Sequence, residues 1–275
     1  MTTAFLGTSA FAAAILQRLA ATDHRPALVV TRPDRPAGRG RRVTPPPVAE
    51  TARALGLDLF QPESVNTAQA GERLAATGAD VLVLCAFGAL VKEPLLTDFE
   101  ILNVHPSLLP RWRGAAPIER AIMAGDEQTG VAIMRLTAGL DSGPVCLMEP
   151  EPIRPDDDYA TLAARLEDLG ATLLVRALDE RPPFAEQPEE GVTYAEKITA
   201  ADRTLDPAAP AEVNVRIVRA LHPHIGARLA LDDGTFLGVH RAAVGEDGAL
   251  ELLEVQPPGG RPMAYADYLR GRAAR

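Results

Sequence analysis

Cysteine is scarce in this chain of 275 residues. There are two, Cys85 and Cys146, with no CxxC spacing. That excludes a disulfide scaffold and fits reduced, packed thiols in a cytoplasm. Long apolar runs are missing as well. The longest, Val81–Val91, falls short of the roughly 18 residues that a membrane-spanning helix needs. The N-terminal MTTAFLGTSAFAAAIL has no Lys or Arg ahead of its apolar stretch, and Gly7, Thr8 and Ser9 interrupt it, so it does not read as a signal peptide. Positive charge is in deficit. A net charge of −9 argues against wholesale wrapping of nucleic acid. There is no internal repeat and no GxGxxG fingerprint. Gly7-Thr8-Ser9 reads instead as a tight strand-to-helix turn, and Gly38-Arg39-Gly40 is too short for a phosphate loop.

What is present is ordinary globular chemistry, 47% hydrophobic and 24% charged. At about 150 residues per domain the length favours two domains, with core enough to need no staples. The charge is unevenly spread. Arg32, Arg35, Arg39, Arg41 and Arg42 crowd one Pro- and Gly-rich stretch opposed only by Asp34, and residues 203–275 sum to zero. An isolated basic loop on an acidic body suits a narrow contact with phosphates.

The first half alternates short β-branched runs with helical patterns. Strands are predicted at 4–6, 27–31, 57–60, 81–85, 101–105, 130–136 and 145–148, and helices at 10–21, 48–55, 67–77, 116–124 and 158–179. This order predicts an α/β fold with a parallel sheet covered on both sides. The stretch 180–191, rich in Pro and Glu, reads as a linker. Beyond it, a helix over 210–221 precedes strand-like runs at 227–231, 236–243 and 249–255. Asp-Gly pairs separate them, a strong hairpin signal. The last residues read as helix. The division expected is an α/β domain over 1–188, a connection over 189–206 and a β-rich domain over 207–275.

The chemistry concentrates in 101–143. Asn103 and His105 lie two apart on a strand, so their side chains share a face. Pro106 ends that strand, which puts the pair at the carboxyl edge of the sheet, where open α/β sheets bind ligands. Alone, such a pair more often caps a strand and satisfies backbone groups than serves a site. Asp141 sits in the glycine-flanked Gly139-Leu-Asp-Ser-Gly143, where an Asx turn is the competing reading. An amide donor, an imidazole and a carboxylate without Cys ligands or a nucleophilic Ser point to acyl transfer onto an external nucleophile. Too few His or Cys are nearby for zinc. His222 and His224 read as a solvated His-Pro-His turn.

The run ILNVHPSLLPRWRGAAPIERAIMAGDEQTGVAIMRLTAGLDSGP, residues 101–144, resembles the central signature of formyltransferases that use 10-formyltetrahydrofolate. RPDRPAGRGRRVTPPPVAETA (Arg32–Ala52), VTYAEKIT (Val192–Thr199) and VQPPGGRPM (Val255–Met263) resemble the branch whose acyl acceptor is methionyl-initiator tRNA. The resemblance covers nearly the whole chain. It implies a Rossmann-like catalytic domain followed by a small oligonucleotide-binding-type (OB-like) domain, here shortened by about a hairpin. It implies formyl transfer for translation initiation, with 10-formyltetrahydrofolate as formyl-donor co-substrate and no metal. It implies Asn103, His105 and Asp141 as the catalytic trio. Ser107, Leu108, Leu109 and Pro110, with Phe87, Gly88, Ala89 and Leu90, would contact folate. Arg35, Arg39, Arg41 and Arg42 would meet the tRNA acceptor end. No membrane and no obligate protein partner are implied. The branch's Trp-containing segment reads Leu221-His-Pro-His-Ile-Gly226 here, and Pro207 follows Asp206 where Trp is typical, so stacking platforms for RNA are fewer. The alternative acceptor is a small amine such as an amino-sugar nucleotide, which would have no use for the five arginines.

Overall fold

A computed structural model describes residues 1–37 and 42–273. In chain order the elements are β1 (Thr3–Gly7), α1 (Ala10–Leu19), β2 (Pro26–Val30), β3 (Arg35–Ala37), β4 (Arg42–Thr44), α2 (Pro47–Ala54), β5 (Leu59–Phe60), α3 (Ala68–Ala75), β6 (Val81–Cys85), α4 (Leu95–Asp98), β7 (Glu100–His105) and β8 (Arg113–Gly114). There follow α5 (Pro117–Ala124), β9 (Gln128–Arg135), β10 (Val145–Pro152), α6 (Tyr159–Glu180), β11 (Tyr194–Ala195), α7 (Ala211–Leu221), β12 (Ala227–Ala230), β13 (Phe236–Val244), β14 (Leu250–Gln256), β15 (Met263–Ala264) and α8 (Tyr265–Ala273). They divide into two compact units. One holds Met1–Ala115, Gly130–Glu151 and Ala164–Tyr194; the other holds Ala116–Thr129, Pro152–Ala163 and Ala195–Arg275.

The first unit is built on a seven-stranded sheet of order β10-β9-β7-β6-β1-β2-β5. Strands β1 and β6 are buried along their whole length, as the unbroken apolar sequence of β6 requires; in β1 the hydroxyl of Thr3 is satisfied by the His24 carbonyl at 2.8 Å. Ser9 caps α1, its Oγ accepting the Ala12 N–H at 3.2 Å. The turn before it needs glycine, because a Cβ on Gly7 would stand 2.6 Å from the Phe5 ring and 2.8 Å from the Ala12 methyl. Ala4, Leu6, Leu28, Val30, Leu82, Leu84 and Ile101 form one continuous core on the sheet.

Three expectations change here. The sheet is not parallel throughout. From β5 through β2, β1 and β6 to β7 it is parallel, but β9 runs antiparallel to β7, with Asn103 opposite Met134. The chain thus enters β9 at the end of the sheet where β7 left it, as an antiparallel neighbour can without returning to the opposite end. The arginine-rich stretch is not a plain loop. Its described flanks, β3 and β4, pair as an antiparallel hairpin, Arg35 opposite Thr44. The segment read as a linker is partly stitched to the sheet, for Ala185 and Val145 exchange two backbone hydrogen bonds of 2.8 and 2.9 Å. The outer strand β10 carries Pro150 and Pro152, which blunt an open edge.

In the second unit, α7 packs on a four-stranded antiparallel sheet of order β12-β13-β14-β15. Gly234 and Gly248 lie in its first two hairpin turns with φ of 78° each. Leu205, Val218, Leu237, Val239, Leu252 and Val255 form its core. No pairing joins β12 to β15 among the described residues, so the sheet stays open where an OB-type barrel would close. The His-Pro-His segment is a turn with Pro223 and His224 exposed, as expected, but both of its imidazoles have partners. His222 caps the end of α7 and pairs with Asp158 at 2.9 Å, while His224 pairs with Glu119 at 2.9 Å and stacks on Tyr159.

Candidate active site

Strands β6 and β7 are parallel neighbours that end at Cys85 and His105, so the loops after them emerge at one edge of the sheet. Asn103 and His105 lie on the same face of β7 and are 5% and 4% exposed. Asp141, in the loop joining β9 to β10, reaches both. The Asn103 side-chain amide donates to Asp141 Oδ1 at 3.3 Å. Asp141 Oδ2 lies 3.8 Å from His105 Nδ1. The same Oδ2 accepts the Gly114 backbone N–H at 2.9 Å. Asp141 has a φ of 43°, left-handed for a residue with a side chain. Its loop also needs Gly143, where a Cβ would collide with the Arg135 carbonyl.

The other ring nitrogen of His105 settles the tautomer. Nε2 lies 2.9 Å from the Trp112 carbonyl, which can only accept, so Nε2 carries a proton. Nδ1 is therefore the ring atom turned toward Asp141. Trp112 itself has a φ of 65° and is tied down by its N–H donating to Thr193 Oγ1 at 2.9 Å.

The remaining expected residues divide. Ser107 is buried and its hydroxyl donates to the Arg111 carbonyl at 2.7 Å, so it closes the turn after β7. Leu109 is buried against Ala132 and Met134. Leu108 and Pro110 are half-buried beside it. After β6, Phe87 belongs to the core and its carbonyl accepts the Thr8 hydroxyl at 2.7 Å, whereas Gly88, Ala89 and Leu90 are exposed, Leu90 at 71%. Gly88–Leu90 are thus open to solvent after β6. Arg35 and Arg42 are exposed on the β3–β4 hairpin. Arg39 and Arg41 lie outside the described residues.

The family model described as "Formyl transferase" matches residues 1–178. The chain belongs to the formyl transferase family. Methionyl-tRNA formyltransferases from Halorhodospira halophila and Paracoccus denitrificans are each 44% identical over 98% of this chain, and the match covers 95% and 97% of their own lengths. The solved methionyl-tRNA formyltransferase from Clostridium thermocellum superposes with a TM-score of 0.65 over 96% of this chain and 99% of that one, at 12% identity, a likeness of fold.

In this formyl transferase the arginine hairpin sprouts from the carboxyl end of β2, the third strand along from β7. At about 4.8 Å per strand spacing, that is roughly 15 Å from Asn103 and His105 along the same sheet edge. Three groups at the site were not singled out from the sequence: the Trp112 carbonyl, the Gly114 N–H and Gln187. The first two are backbone atoms, which carry no sequence signal. Gln187 lies in an aperiodic Pro- and Glu-rich stretch and had none either. Among the described residues no cluster of three or more His, Cys, Asp or Glu is placed to hold a metal ion, and no helix is long and apolar enough to cross a membrane. Both cysteine thiols are pushed above their ordinary range by burial.

Proposed function

We propose that the chain is a methionyl-tRNA formyltransferase. It moves the formyl group of 10-formyltetrahydrofolate onto the amino group of methionyl-initiator tRNA in the cytoplasm. The convergence of Asn103, His105 and Asp141 carries this reading, in a chain 44% identical over nearly its whole length to enzymes of that name.

The reaction is an acyl transfer. The neutral amine attacks the formyl carbon, a C–N bond forms, and an oxyanion develops on the formyl oxygen. The bond to N10 then breaks as N10 takes up a proton. Asn103 spends one N–H on Asp141 and keeps the second for the oxyanion. His105, when protonated at Nδ1 as well, donates to the same oxygen, and the Asp141 carboxylate at 3.8 Å stabilises that cation. Asp141 then relays the proton lost by the amine toward N10. Gly88, Ala89 and Leu90 wall the folate, with Phe87 anchoring them and Ser107–Pro110 forming the opposite turn. Arg35, Arg39, Arg41 and Arg42 grip phosphates of the tRNA acceptor end, for which their fork geometry is suited.

The test is a formyl-transfer assay with charged initiator tRNA beside a panel of amino-sugar nucleotides. Formylation of the methionyl group alone is expected. Formylation of an amino sugar with the tRNA left untouched overturns the assignment.

A further inference from the structure

We infer that Gln187 is a positioning residue for the reaction and acts by holding Asp141 in its left-handed turn. Its chemical consequence rests on the formyl-transfer reading above; its geometry does not. The side-chain Nε2 of Gln187 donates to the Asp141 carbonyl at 2.9 Å and to the Gly143 carbonyl at 2.7 Å. Its Oε1 accepts from Arg113 Nε at 3.0 Å and Nη2 at 2.8 Å. Every polar site of the amide is engaged. The two partners are the two halves of the same device. Arg113 precedes Gly114, whose N–H fixes Asp141 Oδ2 at 2.9 Å, and Gly143 closes the loop that carries Asp141. Gln187 therefore clamps the loop that presents the carboxylate to the strand that grips it.

The clamp is needed because Asp141 adopts a φ of 43°, which an ordinary residue leaves unless its surroundings over-determine it. The loop has no regular ladder of its own between Arg135 and Val145. A second tie runs in parallel: Thr193 accepts the Trp112 N–H at 2.9 Å, and Trp112 orients His105. Residues 187 and 193 thus put the segment after α6 to work on the two partners, imidazole and carboxylate.

The experiment compares wild type, Gln187→Ala and Gln187→Glu. The glutamate variant keeps an acceptor for Arg113 but removes the donor to Asp141 and Gly143, so it isolates the loop. Two quantities are read: the single-turnover rate of formyl transfer at saturating substrates, and hydrogen exchange of the Gly114 amide, which reports its bond to Asp141. Both variants should transfer at least tenfold more slowly, with KM for either substrate within twofold of wild type. Gly114 exchange should quicken at least tenfold. The Arg113 amide, bonded to the Thr193 carbonyl at 2.9 Å, should exchange as before. A Gln187→Glu rate within threefold of wild type overturns the inference, as does a slowed rate with unchanged Gly114 exchange. If wild type formylates only another amine while Gly114 exchange responds as expected, the tRNA reading fails and Gln187 still holds Asp141. The rate is then read with that amine.

Discussion

Asn103 and Asp141 stand 38 positions apart in the chain and are joined by a 3.3 Å hydrogen bond from side-chain amide to carboxylate. The bond engages one N–H of the amide, and in the proposed reaction the other serves the oxyanion. If Asn103 donates to the oxyanion as proposed, replacing it by Ala should lower turnover by about 10²–10³-fold while folate affinity changes little. Single-turnover rates and folate titration check this, and a rate within threefold of wild type would remove the role.

Asp141→Asn should lose activity and also some stability. The carboxylate accepts from Asn103 on one oxygen and from Gly114 on the other. An asparagine amide must turn its NH₂ against one of those donors, which costs about 1–3 kcal/mol. The thermal midpoint should drop by a few degrees and the rate by far more. Full specific activity in the folded fraction would make the residue structural.

Arg35 and Arg42 should set affinity for charged tRNA. Both are exposed, and Arg35 lies 3.8 Å from Glu63, a loose pairing. Replacing both by Ala should weaken tRNA binding and lower the slope of log affinity against log salt by up to about one for each phosphate no longer neutralised. Folate affinity should not move. Superimposable salt series for the two proteins would leave the hairpin without a role in tRNA binding.

Glu167 on α6 should make stability fall as pH rises. Burial pushes its carboxyl up to about 7, Asp168 adds to the rise, and Arg18 opposes it. A carboxyl raised above its unfolded value contributes stability below about pH 4.5, and that contribution is lost as pH climbs through about 7. Glu167→Gln should therefore raise the thermal midpoint at pH 8 and leave it nearly unchanged near pH 5. The gain at pH 8 is bounded at about 3 kcal/mol, less whatever solvent screening removes. Thermal melts at the two pH values decide it.

The sequence by itself determined the main helices and strands and pointed to the chemistry, but not the short β3, β4, β8, β11 and β15. Apolar runs such as Val81–Cys85 are strands because nothing else buries them, and Ser9 starts a helix because its hydroxyl satisfies an orphan N–H. The two-residue spacing of Asn103 and His105 already placed both on one face. Tertiary structure alone decided what lies between distant parts. The antiparallel entry of β9, the carboxylate partners of His222 and His224, the Trp112 carbonyl on His105 and the clamp of Gln187 all depend on pairings across many residues. Local periodicity and propensity describe a few neighbouring residues at a time. A backbone carbonyl or a glutamine in an aperiodic stretch acquires its role only when the folded chain brings its partner within about 3 Å.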